Sequence, residues 1–193
     1  MNKLYKLLAI CIFCLANGCA RDKQKQENGV SHYKNYDLEA LNVQIPITWD
    51  SLNFAAQGLQ SSNRDKKYLF LNTHSKDTVL RETVLIEIAQ QKGAISFSKL
   101  EKELLVNMSE GQDQIMMISS KSFVKRDGEL KMVELNCRNK ELNMRLVEMF
   151  AFYKKDKQFA SLLWTGLSHS ESINKNNREV FMQVVNSIQW KKP

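Results

Sequence analysis

Between Ile115 and Leu167 the chain alternates apolar and polar residues with a period of two, and the interruptions are only a few residues long. Ile115–Val124 and Leu130–Cys137 flank Lys125 to Glu129, where Asp127-Gly128 is a favoured hairpin pair. A turn at Arg138, Asn139 and Lys140 leads to a strand over Leu142–Tyr153, and Lys154 to Lys157 turn into another over Phe159–Leu167. Parallel neighbours need a crossover of a dozen or more residues, so four strands joined this tightly are consecutive antiparallel neighbours. This meander fixes the class of fold before any other residue is considered.

The flanking segments supply the rest. Val43, Ile45 and Ile47 alternate with polar residues in an opening strand, and Pro46 favours an edge position. Residues 50–66 read as a loop or short irregular helix. Strands follow at 68–73 and 83–90, the latter with Val84, Ile86 and Ile88 on one face. Ser98 and Glu101 have capping-box spacing, Leu100, Leu104, Leu105 and Met108 share a helical face, and Gly111 suits a left-handed helix end. Near the C-terminus, Val180, Phe181, Val184, Val185 and Ile188 make an apolar helical stripe, with Asn176 and Glu179 placed to cap its start. The expected order is three strands, a helix, four strands and a helix. An antiparallel sheet of six to seven strands flanked by helices is an α+β sandwich.

This order resembles the PsbP-like family, whose fold also covers Ran-binding Mog-type proteins and DcrB-like bacterial lipoproteins. The resemblance runs from about Leu41 to Trp190. It rests on IPITWD (45–50), the central helix SKLEKELLVNM (98–108), the meander, and the closing REVFMQVVNSIQW (178–190) with its F-x-x-V-V-x-S-I pattern. It implies an αβα sandwich that serves as a binding or assembly-support module rather than an enzyme. These are packing motifs, so no binding residue is carried over from the family.

The N-terminus gives an address. Lys3 and Lys6 precede an apolar run, Leu7–Ala16, that is too short for the roughly 20 residues of a membrane-spanning helix but fits the core of a secretory signal. Ala16, Asn17 and Gly18 then lead to Cys19, an arrangement that resembles the bacterial lipobox, in which the cysteine thiol takes a diacylglyceryl group, palmitate-type chains included, before cleavage. Ala16 and Asn17 depart from the usual aliphatic pattern there. The expected division is a signal peptide over 1–18, a flexible polar tether over 19–40 and a PsbP-like domain over 41–193. Ala20, rather than Asp, follows the cysteine, which favours the outer membrane facing the periplasm.

Cys11 and Cys14 leave with the signal and Cys19 is acylated, so Cys137 stands alone, with no intramolecular disulfide and no CxxC metal site. It is read as a small buried hydrophobe. Of 28 Lys and Arg, two leave with the signal, so 26 oppose 21 acids, a net charge of +5. No dense basic run interleaved with aromatics occurs, which argues against nucleic acid; the charge reads first as a solvated basic surface, with weak attraction to anionic head groups beside the tether as the alternative.

Catalytic signals are sparse. His32, His74 and His169 lie in polar contexts without metal-ligand spacing, so no metal is expected. Gly166 to Ser170 (GLSHS) lacks the second glycine of a nucleophile elbow, and no phosphate-binding glycine pattern exists, so no cofactor is expected either. The acid pairs Glu101/Glu103 and Glu82/Glu87 read as exposed faces, and Met116, Met117, Met144 and Met149 as core filling. Ser51 and Thr78 sit in Asp-Ser/Thr-aliphatic sequences of the type O-glycosylated in some bacterial exported proteins. The sequence therefore points to a membrane-anchored lipoprotein of the cell envelope. It is read as a non-enzymatic module with a protein partner; the rivals are a small-ligand carrier with a pocket between sheet and helix, and an enzyme with an unfamiliar site.

Overall fold

A computed structural model describes residues 32–52, 65–75, 80–90, 96–125, 127–169 and 171–191. Its elements run β1 (Tyr33–Leu38), β2 (Leu41–Pro46), β3 (Trp49–Leu52), β4 (Asp65–Asn72), β5 (Thr83–Gln90), α1 (Phe97–Gly111), β6 (Gln112–Lys125), β7 (Gly128–Asn139), β8 (Met144–Lys155), β9 (Gln158–Leu167), α2 (Glu171–Ser187) and β10 (Gln189–Trp190). A seven-stranded sheet has the order β3-β4-β5-β9-β8-β7-β6, and a second sheet the order β1-β2-β10. Every strand pair is antiparallel.

The large sheet is the middle layer of a sandwich. One face, carrying Phe70, Val84, Ile86, Met149, Ala151, Leu162 and Trp164, packs under α2 and the small sheet. The other, carrying Leu69, Leu85, Leu135, Phe150, Phe152 and Leu163, packs with α1 through Leu104 and Met108. Burial on both faces explains the near-continuous apolar run of β8, Leu146–Tyr153, in which alternate residues feed different cores. The α+β sandwich expected from the meander is the fold observed.

The ends of the chain depart from the sequence expectation. A strand already lies before Leu41, inside the expected tether: Tyr33–Leu38 pairs along β2, and Tyr36 meets Phe70 edge-to-face at 4.8 Å. A polar stretch thus becomes a strand through its backbone and one aromatic anchor; the rest of the expected tether, and the signal with Cys19, lie outside the described residues. The opening strand is two strands in different layers: β2 belongs to the small sheet, β3 to the edge of the large one. Pro46 ends β2, the middle strand of its sheet, and marks no edge. The small sheet is closed by β10, where Trp190 pairs with Leu41 and packs 5.7 Å from Tyr153.

Both helices start elsewhere than expected. Ser96, two residues before Ser98, caps α1 by accepting the Lys99 N–H at 3.4 Å. Gly111 is not left-handed; the helix stops because Gln112 turns extended as the first residue of β6 while its N–H still bonds to Met108 O. Helix α2 begins at Glu171, so Asn176 and Glu179 are interior residues and not caps. At its other end, Ser187 Oγ accepts the Gln44 N–H at 2.8 Å, tying helix to small sheet.

Two turns also differ in detail. Gly128 pairs with Lys125 and opens β7 instead of sitting inside the turn. The next turn follows Asn139, whose Oδ1 accepts the Leu142 N–H at 2.8 Å, the local side-chain bond that makes Asn a turn former.

Candidate functional site

The open edge of the large sheet and the groove beside it form the candidate binding site. Strand β6 is 14 residues long and, among the described residues, pairs with a strand on one side only, β7. Its register shifts between Asp113 and Met116 and between Met117 and Ser119. Two irregularities reset the alternation of side chains and turn more apolar groups outward than a regular strand would. Met116 (55 % exposed), Met117, Ile118, Phe123 and Val124 (89 % exposed) all face solvent to a large degree. The expectation that Met116 and Met117 fill the core is therefore corrected, while Met149 is buried and Met144 half-buried against the α1-side core.

On the α2 side of this edge lies a groove of about 290 Å³. Met132 of β7, Met149 of β8 and Phe181 and Met182 of α2 give it an apolar floor, and Phe123 of β6 its outer wall. Its polar groups are Ser119, Lys121 and the ion pair of Glu134 with Arg178, whose Nε donates to Oε1 at 2.7 Å. The pair is partly buried, with 11 % of the Glu134 side chain exposed and 29 % of that of Arg178. At the far end of β6, Lys125 Nζ donates to Val185 O at 3.1 Å and lies 5.4 Å from the Tyr153 ring. Burial lowers the Lys125 pKa.

The opposite face holds a buried polar pair. Glu148 is fully buried on β8, and its Oε1 accepts from Gln112 Nε2 at 2.6 Å. Burial raises the Glu148 pKa to about 7, opposed by the Gln112 bond. Cys137, buried on β7 with Sγ 4.0 Å from Leu146 O, has its thiol pKa driven up by burial and then by Glu148. It behaves as the buried hydrophobe expected of it, since a reactive cysteine needs an accessible, stabilised thiolate.

Of the residues singled out from sequence, Ser51 is exposed on β3, whereas Cys19 and Thr78 lie outside the described residues. His74 is exposed beyond β4, its N–H bonded to Asn72 Oδ1. The His169 backbone is bracketed by the Asn174 side-chain amide. No group of three His, Cys, Asp or Glu side chains able to hold a metal forms among the described residues. The acids expected on exposed faces are bonded instead: Glu101 to Lys131 at 2.9 Å and to Ser120, Glu87 to Lys67 at 3.1 Å, and Glu82 to Asn72. Lys121, Glu134, Arg178, Gln112 and Glu148 were not singled out. For Glu148 a signal existed, an acid inside the apolar run LVEMFAFY.

An antiparallel sheet covered on both faces, closed by a C-terminal helix and returning strand, has the PsbP/Mog1-like fold. Solved structures share the fold. Cyanobacterial PsbP (CyanoP) from Synechocystis aligns with TM-score 0.61 and 12% identity, over 88% of this chain and 98% of that one. The Ran-binding protein Mog1p of Saccharomyces cerevisiae aligns with TM-score 0.56 and 9% identity, over 82% and 95%. LpqN, involved in cell envelope biogenesis of Mycobacterium tuberculosis, aligns with TM-score 0.55 and 8% identity, over 84% and 93%. No protein-family model matches the sequence, and no curated protein does. At these identities the likeness establishes the fold alone. No helix among the described residues is long and apolar enough to cross a membrane.

Proposed function

We propose that the chain is a lipid-anchored envelope protein, held through Cys19 at the periplasmic side of the outer membrane, and acts as a non-enzymatic module that receives an extended segment of a protein partner along β6. The observation that carries this reading is the β6 edge. A long strand with free main-chain groups is a template for strand addition, and native proteins usually blunt such edges with charge. Here exposed Met116, Met117, Ile118, Phe123 and Val124 are left on it, the kind of apolar surface that a partner covers. The involvement of LpqN in cell envelope biogenesis supports the address.

The test is photo-crosslinking in intact cells from a reactive residue at Met116 or Val124, with exposed Asn35 on β1 as control. One defined partner from the β6 positions and none from Asn35 is expected; equal yields from all three positions, or no product, would sink the reading. Mass spectrometry of the mature protein reads the anchor and sugars together: a diacylated N-terminus at Cys19, and hexose on the Ser51 and Thr78 peptides.

A further inference from the structure

We infer that the groove between α2 and strands β6–β8 binds a single-chain amphiphilic carboxylate, with its hydrocarbon on the methionine floor and its head group at Lys121. This site shares Phe123 with the proposed β6 edge but faces α2, and it is tested by its own readout.

The floor defines the tail. Met132, Met149 and Met182 offer unbranched, polarisable side chains that adapt to a flexible chain, Phe181 adds a rigid apolar ring, and Phe123 covers it from outside. The 290 Å³ is near the roughly 300 Å³ lower bound of small-ligand sites. A groove of this size suits a medium-length hydrocarbon chain rather than a bulky ring system.

Charge defines the head. Lys121 is exposed and has no hydrogen-bond or ion-pair partner among the described residues. Among the described residues the one carboxylate lining the groove, Glu134, is held by Arg178 at 2.7 Å. The lining therefore carries one uncompensated positive charge beside an apolar trough, with the Ser119 hydroxyl one strand-face position away. A carboxylate satisfies Lys121 and Ser119; a quaternary ammonium meets repulsion.

The test uses the full chain carrying Cys19→Ser, so that no acyl group of its own competes, with carbon-13 in the methionine methyls. Decanoate, decanol and decyltrimethylammonium are the probes. Decanoate is expected to shift the methyls of Met132, Met149 and Met182 saturably and to leave Met116 and Met117 unchanged, binding about fivefold tighter than decanol. Lys121→Gln, at an exposed position that leaves the core intact, is expected to remove that advantage without altering decanol binding. Absence of saturable shifts at the groove methyls overturns the site. Decanol or the ammonium probe binding as tightly as decanoate, or an unaffected Lys121→Gln, overturns the head-group assignment. Crosslinks from β6 are read separately, so either proposal can fail alone.

Discussion

Gln112 Nε2 donates to Glu148 Oε1 at 2.6 Å inside the α1-side core, and each side chain keeps one buried oxygen, Gln112 Oε1 and Glu148 Oε2, without a hydrogen-bond partner among the described residues. One proton resolves both. A neutral Glu148 has an Oε2–H to donate, Gln112 Oε1 is the acceptor left over, and a reciprocal amide–acid pair joins the end of α1 to β8. An ionised Glu148 has four acceptor sites and one donor facing them.

The first prediction is a fall of stability with rising pH. The folded-state pKa of Glu148 is raised to about 7 from an ordinary 4.5. Between these values the folded chain holds a proton that the unfolded chain has released. Its stabilisation is complete below about 4.5, declines as pH rises, and is gone above about 7, a total on the order of 3 kcal/mol. Glu148→Gln is expected to flatten this part of the profile and to be the more stable protein at pH 8. Urea unfolding of both proteins at pH 5 and pH 8 measures the difference, and parallel profiles would refute the assignment.

Gly128→Ala tests a close approach. Gly128 has φ +153°, and a Cβ there would lie 2.2 Å from the Lys154 carbonyl oxygen on the neighbouring strand. Backbone cannot yield as a flexible side chain does, so the β6–β7 hairpin must shift. A destabilisation of about 2–4 kcal/mol is expected. It should lower the urea midpoint, together with decanoate binding, since Phe123 and Lys121 ride on this hairpin.

Phe181→Ala tests the helix anchor. Phe181 is fully buried between α2 and the sheet and also floors the groove. Removing its ring leaves a cavity, at an expected cost of about 3–5 kcal/mol. Thermal unfolding should show one cooperative transition at lower temperature; a change under 1 kcal/mol would mean that α2 is not held by this contact.

Cys137 reports global opening. Burial holds its pKa above the ordinary value and hides the sulfur. At pH 8, alkylation of the Cys137 peptide, followed by mass spectrometry, is expected to track the unfolded population across a urea series. Prompt labelling of the folded protein would contradict the burial.

The meander was readable because period-two alternation and short turns are local, and local signals leave few topologies open. The helix faces were readable for the same reason: Leu104 and Met108, and Phe181, Val184 and Val185, are the residues that the structure buries. Caps were less legible, since Ser96 and Ser98 are equivalent in type and only the path of the chain into α1 chooses between them. The groove was hardly legible at all. Lys121, Glu134 and Arg178 are ordinary charges in sequence, 13 and 44 positions apart, that become a site because β6, β7 and α2 converge.

Sequence alone determined the fold class, since side-chain periodicity commits each segment to one kind of element with one apolar face. Tertiary structure alone decided which layer each strand joined, that Tyr33–Leu38 became a strand, that Glu148 was buried beside Gln112, and that β6 became an edge with exposed apolar side chains. The physical reason is that long-range pairing and desolvation depend on neighbours distant in the chain, which no local pattern records.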